Sequence, residues 1–253
     1  MRAKVLRILV FYTLVIGGWH LLAVADVWSP FLFPSPLSVA RSLIRNVENG
    51  QLADALAHSM QRLVLGYSIS MLVGFSLGVL MATSRWADDT LGSVVLGLQS
   101  LPSITWLPMA VLWFGLSERA IVFVVLMGST FSIAISARSG MRGLPPLLAR
   151  AAGTLGATRW QLYRYVMLPA MVPPMIQGMK QGWSFAWRSL MAGELLFVVA
   201  GLGHLLDVGR NLNDINMVFG VMLVIVAVGV FVDRVLFGRA EAWVHERWGY
   251  AAA

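Results

Sequence analysis

The chain has 253 residues, of which 58% are hydrophobic and 12% are charged, with a formal net charge of +7. A soluble domain carries about twice that share of charged residues, so the composition excludes an ordinary soluble globular protein. Cysteine is absent and the four histidines lack metal-ligand spacing, which excludes a disulfide framework and thiolate chemistry and argues against a metal site.

Five stretches without Asp, Glu, Lys or Arg are long enough to cross a bilayer, at 8–25, 63–84, 90–117, 120–137 and 215–232. A sixth apolar segment contains Lys180, Arg188 and Glu194. We therefore predict an all-α polytopic membrane protein that forms a single transmembrane domain over 1–253. Its six transmembrane helices are expected at about 8–25, 60–84, 90–115, 120–137, 172–200 and 215–236.

The charges of the loops predict the orientation. Six spans sort the loops into two alternating sets, and the set that includes both termini holds 12 Lys or Arg against 5 Asp or Glu. The other set holds 5 against 6. Basic loops stay in the cytoplasm, so we expect both termini to be cytoplasmic. The first span lacks a clear cleavage site and is interpreted as a retained helix.

Local signals predict further features. Ser35 followed by Pro36 predicts the start of a short external helix that ends near Gly50. Within the spans, Gly74-x-x-x-Gly78 and Gly178-x-x-x-Gly182 permit close contact between helices.

The longest predicted cytoplasmic loop, 138–169, carries five arginines and no acidic residue. Pro146 predicts the start of a short helix, and Gly156 predicts its end in the left-handed conformation. Thr158, with a glutamine three residues later, predicts a capping box that begins a second helix, which Pro169 is expected to limit. Two interpretations fit: a compact helical pair that contacts another protein, to which adjacent alanines allow close approach, or a basic loop on anionic lipid.

The same loop resembles the EAA loop of bacterial ABC importer permeases, in which Glu-Ala-Ala, Gly and Ile-x-Leu-Pro follow at fixed intervals. Every spacing matches, although Arg150 stands where glutamate is usual and Val166 where isoleucine is usual. Further short sequences resemble the nitrate, sulfonate and taurine type of permease. They are Phe33-Pro34-Ser35-Pro36, Arg62-Leu63-Val64-Leu65-Gly66, Leu101-Pro102, Leu107-Pro108, Trp113-Phe114-Gly115, Gly193-Glu194-Leu195-Leu196 and Gly201-Leu202-Gly203.

This resemblance implies the type I ABC importer permease fold, with six transmembrane helices and a cytoplasmic coupling helix, in a multi-pass protein of the bacterial inner membrane. It implies two ABC ATPase subunits, a second permease subunit in a homodimer and a periplasmic substrate-binding protein as partners, and no nucleic acid. The chain has no G-x-x-x-x-G-K-[ST] loop, so ATP and Mg²⁺ are expected on the ATPase subunit, with no cofactor and no catalysis here. The residues that the resemblance assigns to ATPase coupling are Arg150, Ala151, Ala152, Gly156, Val166, Leu168 and Pro169.

Four polar residues of the fifth span, Gln177, Gln181, Ser184 and Arg188, fall on one helix face. Ionisable groups inside a membrane are costly and tend to mark transport routes. One hypothesis is that this polar stripe lines the path of a small anion such as a sulfonate, taurine or nitrate, which Arg188 and nearby Lys180 would favour. The alternative is that the cations anchor the helix and the glutamines bond neighbouring helices.

Two other functions fit parts of the sequence. A stand-alone secondary transporter would also be polytopic, but the two halves of the chain show no internal repeat. An intramembrane hydrolase would use Gly74-x-Ser76-x-Gly78, which matches the nucleophile-elbow pattern G-x-S-x-G but lies inside a predicted helix.

Overall fold

The computed structural model describes residues 2–25, 28–29 and 31–248. All regular elements in these ranges are helical, which confirms the all-α prediction. Short helical segments of other types interrupt or join the α-helices. One is a 3₁₀ segment, Ser103–Trp106, and two are π segments, Leu162–Met167 and Val232–Phe237. The α-helices are α1 (Arg2–Val24), α2 (Pro36–Glu48), α3 (Gln51–Thr83), α4 (Arg85–Gln99), α5 (Leu107–Phe114), α6 (Glu118–Arg142), α7 (Pro146–Thr154), α8 (Arg159–Gln161), α9 (Leu168–Glu194), α10 (Leu202–Asn211), α11 (Ile215–Phe231) and α12 (Gly238–Trp248).

Four helical segments of the described ranges are long and apolar enough to cross a membrane, namely Leu6–Val24, Gln51–Thr83, Glu118–Arg142 and Ile215–Val244. The prediction of one helix over 90–115 is wrong. That region forms α4 and the Ser103–Phe114 segment, which meet at a bend of 99°. Pro102 accounts for the break because it has no amide hydrogen and disfavours helical conformation in the residue before it.

The boundaries of the fifth predicted span, 172–200, also need correction. Its helix, α9, begins at Leu168 and ends at Glu194, and the next six residues are not helical. Helix α9 is not among the four apolar segments, and the count of six spans stays a prediction.

The described residues fall into two compact units. The first contains the residues up to Ser59 together with Glu194–Ala227. In it, Trp19 of α1 donates a hydrogen bond to the Pro34 carbonyl at 2.9 Å and stacks on Phe219 of α11 at 6.1 Å. Ser35 caps α2 as predicted, since its hydroxyl accepts from the Ser38 amide at 3.2 Å.

The second unit contains Met60–Gly193 and the residues from Val228 onward. Its centre is α6, in which 61% of the residues of the most apolar stretch are buried. A Cβ added at Gly78 of α3 would lie 2.5 Å from the Ala134 carbonyl oxygen of α6. On α9, a Cβ added at Gly182 would lie 2.5 Å from Ile133. Both predicted glycine pairs therefore bring a helix into close contact with α6.

The G-x-S-x-G sequence lies inside α3, where the Ser76 hydroxyl donates to the Leu72 carbonyl at 2.7 Å. A nucleophile elbow requires a strand, a sharp turn and a helix, so this serine does not have the geometry of a hydrolase nucleophile.

Candidate translocation path and coupling loop

The polar stripe of α9 is exposed along its full length, at Gln177, Gln181, Ser184 and Arg188. The first three residues line a cavity of about 840 Å³, which we call the first cavity. It also touches the end of α6 and reaches Pro145 at the start of the loop 138–169. Arg188 lines a different cavity of about 280 Å³, the second cavity. Residues of the stripe thus line two cavities along one helix.

Both glutamines of the stripe also hydrogen bond neighbouring elements. Gln177 donates to Glu241 of α12 at 3.1 Å, and Gln181 accepts from Ser136 of α6 at 3.4 Å. These contacts agree with the alternative interpretation, in which the glutamines bond neighbouring helices. The same two side chains also line the first cavity. The transport role of the stripe stays a prediction.

The two cations of α9 have different surroundings. Lys180 lies 3.3 Å from Asp233 and 3.3 Å from Glu241, so two carboxylates compensate its charge. Arg188 donates from Nε to the Ser184 carbonyl at 3.0 Å, and its guanidinium carbon lies 4.7 Å from the Phe185 ring centroid. Among the described residues, no acidic side chain pairs with Arg188. Arg188 therefore offers an anion a positive charge that no described acidic side chain offsets, whereas two carboxylates share the charge of Lys180.

The loop 138–169, named here the EAA-type loop, folds largely as the sequence predicts. Helix α7 begins at Pro146, and Gly156 follows its end with φ of +76°. Thr158 and Gln161 form the predicted capping box, with the Thr158 hydroxyl accepting from the Gln161 amide at 3.3 Å and the Gln161 side chain accepting from the Thr158 amide at 2.8 Å.

The second helix of this loop differs from the prediction because Pro169 does not end it. From Arg159 the helical backbone continues through the π segment Leu162–Met167 and into α9. Pro169 directly follows the π segment, where the regular hydrogen-bond ladder of the α-helix is already interrupted, so its missing amide hydrogen does not end the helix. The EAA-type loop therefore contains one free short helix, and its second helix is the beginning of the long one.

The residues assigned to coupling have mixed exposure. Arg150 and Ala151 are exposed, whereas Ala152 is 7% exposed, so of the two alanines Ala151 lies at the surface. Val166 lies half-buried in the π segment. Leu168 is 53% exposed at the start of α9. Large apolar side chains are also exposed across this loop, with Leu147 at 72%, Leu155 at 87% and Trp160 at 73%.

An ion-pair cluster holds the end of α6, where the EAA-type loop begins. Arg138 and Arg142 both bind Asp88 of α4, with Arg142 Nη1 at 2.5 Å from Oδ2. Asp88 precedes the predicted span at 90–115, and hydrogen bonding and attraction by Arg138 and then Arg142 hold the pKa of its carboxyl below the usual range. Two of the five arginines of the loop are therefore paired and positioned.

Glu194, at the end of α9, is fully buried. In the first unit it accepts hydrogen bonds from the Ser59 hydroxyl at 2.7 Å and from the Gly203 amide at 3.1 Å, so a carboxylate lies at the start of α10. A Cβ added at Gly201 would lie 2.5 Å from that carboxylate, so a residue with a larger side chain would collide with it at this position. Glu194 therefore has a structural role at a helix start.

Residues 72–238 match the profile of a family described as "Binding-protein-dependent transport system inner membrane component". The match spans well over half of the chain. The chain belongs to this family. It is an inner-membrane, multi-pass permease subunit of an ABC importer, as the EAA spacing indicates.

Relatives and solved structures agree with this assignment. An ABC transporter permease protein of Methanocaldococcus jannaschii is 31% identical over 221 residues, which cover 85% of this permease and 82% of the relative. The taurine transport system permease protein TauC of Escherichia coli is 27% identical over 233 residues, with coverage of 89% and 85%. The inward-facing MetNI methionine ABC transporter shares the fold, with a TM-score of 0.64, 19% identity and coverage of 77% and 96%.

Proposed function

We propose that this permease forms the translocation path for a small anionic solute, with sulfonates as the favoured class. The observation that carries the proposal is the exposed polar stripe of α9, whose residues line two cavities and which ends at Arg188. Arg188 has no acidic partner among the described residues and can pair with an oxoanion, for which guanidinium geometry is well suited. The similarity to TauC supports a sulfonate.

We also propose that the EAA-type loop docks on a separate ATPase subunit that binds ATP and Mg²⁺. Exposed Leu147, Leu155 and Trp160 give this loop an apolar surface beside the cation Arg150, and exposed apolar clusters on a polar segment commonly mark protein interfaces. Arg150 would meet an acidic or polar group on the partner. The assembly would contain two ATPase subunits, two copies of this chain and a periplasmic binding protein.

The path is tested by ATP-driven uptake of radiolabelled 2-aminoethanesulfonate in proteoliposomes that contain the permease, its ATPase and its binding protein. Arg188→Gln is expected to lower uptake about tenfold or more, because a charge-assisted hydrogen bond is lost. Arg41→Gln, which removes an exposed arginine of α2, is the matched control and should leave uptake unchanged. Wild-type uptake in Arg188→Gln would remove Arg188 from the path.

The orientation is tested by labelling, for which the natural lack of cysteine makes every introduced cysteine unique. Thr154→Cys at the end of α7 and Asn49→Cys after α2 are both exposed positions. With a membrane-impermeant maleimide on intact cells, we expect Asn49→Cys to react and Thr154→Cys to react only after the cells are opened. Reaction of Thr154→Cys in intact cells would place the EAA-type loop outside and refute coupling through it.

A further inference from the structure

The short helix α2 carries an exposed apolar stripe on the side opposite its buried residues. The buried residues of the helix are Val39, Ser42 and Asn46. Four exposed apolar residues fall within about 80° of arc on the other side, at about 100° per residue. These residues, named here the α2 stripe, are Leu37, Ala40, Ile44 and Val47. The three large ones are each more than half exposed, so the stripe is suited to an apolar partner.

Two arginines lie along one edge of the α2 stripe. Arg41 and Arg45 are both exposed, and they lie about 40° and 80° around the helix from Leu37. No acidic side chain of the described ranges forms an ion pair with either of them. The one acidic residue of α2, Glu48, is its last. Guanidinium groups beside an apolar surface match a boundary at which hydrocarbon meets anionic phosphate.

The contacts of α2 place it at the depth of such a boundary. Trp19 of α1 donates to the carbonyl of Pro34, just before α2, and a Cβ added at Gly220 of α11 would lie 3.0 Å from the Leu43 side chain. Trp19 is five residues from the end of α1, and Gly220 is five residues from the start of α11. At 1.5 Å per residue, both contacts lie about 7.5 Å inside the ends of two membrane-spanning helices. Interfacial helices bury their apolar face about 5 to 10 Å deep.

The segment on either side of this contact is also suited to lipid. Phe31 is 82% exposed and Leu32 is 67% exposed just before α2, and aromatic residues are frequent at the membrane interface. No residue in the most apolar stretch of α1 is buried, so this helix presents apolar side chains to the bilayer. The α2 stripe therefore continues a surface that lipid already covers.

We infer that α2 is an interfacial helix that binds the bilayer, with its stripe at the hydrocarbon boundary and Arg41 and Arg45 on the phosphates of anionic lipids. In the predicted orientation this is the outer leaflet of the inner membrane. The inference adds a lipid-binding surface to the proposed transport function. A second copy of the chain or another protein on the stripe would be the contrary result of the test.

The first test measures the depth of two adjacent positions. Ile44→Cys in the stripe and Arg45→Cys at its edge are unique cysteines, and each receives a nitroxide in the assembled transporter in nanodiscs. We expect oxygen, which concentrates in lipid, to reach the Ile44 probe, and a water-soluble nickel chelate to reach the Arg45 probe several-fold better than the Ile44 probe. Equal access of the chelate to both probes would place α2 in water. Exclusion of both reagents from the Ile44 probe would place a protein on the stripe, and either result overturns the inference.

The second test measures the choice of headgroup. A fluorophore on Ile44→Cys is quenched by lipids with brominated acyl chains, either phosphatidylglycerol, which is anionic, or phosphatidylcholine, which is zwitterionic. Attraction between one arginine and an anionic surface predicts that the brominated phosphatidylglycerol quenches as strongly as about five times as much brominated phosphatidylcholine. Equal quenching by the two lipids would overturn the role of the arginines.

Variants in the Ile44→Cys background assign the preference. Replacing both Arg41 and Arg45 by glutamine should make the two lipids quench equally. Arg210→Gln is the matched control, because it removes an exposed arginine that is already paired with Asp207, and it should keep the preference. A preference that survives the double replacement would overturn the inference. Size-exclusion profiles report whether each variant is folded.

Both tests measure lipid contact and neither depends on uptake, so their failure leaves the proposed transport function standing. Loss of Arg41 alone keeps Arg45 in place and is expected to leave uptake unchanged.

Discussion

Close packing of α3 on α6 predicts that one added methyl group at Gly78 destabilises the permease. In Gly78→Ala the new Cβ would lie 2.5 Å from the Ala134 carbonyl oxygen, 2.5 Å from the Ala137 Cβ and 3.1 Å from the Arg138 amide nitrogen. Ordinary contacts between carbon atoms are about 3.5 to 4.0 Å, so the two helices must separate by about 1 Å. None of these atoms belongs to the flexible end of a side chain, so local adjustment cannot relieve the overlap.

The magnitude follows from two opposing effects. Overpacking costs about 1 to 3 kcal/mol, and the rigid neighbours of Gly78 place this site near the upper limit. Replacing a helical glycine by alanine recovers about 0.5 to 1 kcal/mol of backbone entropy. The net loss is about 2 kcal/mol, which lowers the melting temperature by about 4 to 8 °C in a chain of this size.

The assay is the fraction of monodisperse protein in detergent after heating, measured by size-exclusion chromatography at a fixed heating rate. Gly97→Ala in α4 is the matched control, because a Cβ there meets no atom within 4 Å. It should melt at the wild-type temperature or slightly above it. An unchanged melting temperature in Gly78→Ala would refute the close approach of α3 and α6.

Three further predictions follow from the ion pairs and the EAA-type loop. Lys180→Met removes the cation that Asp233 and Glu241 share and should lower stability by about 1 kcal/mol in the heating assay. An unchanged stability would mean that these ion pairs do not form. The hydrogen bond from Arg138 lowers the pKa of the Asp88 carboxyl. The ionised Asp88 therefore stabilises the fold above about pH 4, and this stabilisation is lost as the pH falls through the lowered pKa. The melting temperature of Asp88→Asn should therefore fall less between about pH 5 and pH 3 than that of the wild type, and parallel curves would contradict this. Gly156→Ala forces an L-residue into φ of +76° at a cost of about 1 to 2 kcal/mol and should reduce ATP-driven uptake. The control Gly153→Ala, where an added Cβ meets no atom within 4 Å, should not reduce uptake. Equal uptake by the two variants would contradict the role of this turn.

The sequence was sufficient for features that depend on local chemistry. Ser35, Gly156 and Thr158 mark helix ends through hydrogen bonds or backbone conformations that involve only their neighbours in the chain. Four of the predicted spans coincide with long apolar helical segments, because lipid exposure requires unbroken runs of apolar residues.

Features that depend on distant partners could not be predicted in the same way. No charged residue interrupts 90–115, which favoured a single span, and the local signals for the bend of 99° are Pro102 and the polar residues Gln99, Ser100 and Ser103 around it. The carboxylates that compensate Lys180 come from the last span and from α12, more than fifty residues away in the chain.

Helix α9 contains Pro173 and Pro174, which lie between the EAA-type loop and the polar stripe. Each proline lacks an amide hydrogen, so two successive carbonyls one turn earlier receive no helical hydrogen bond, and bending resistance is lowest there. Helix α9 is therefore expected to bend most easily at these two prolines, which separate the part that follows the EAA-type loop from the part that carries Arg188.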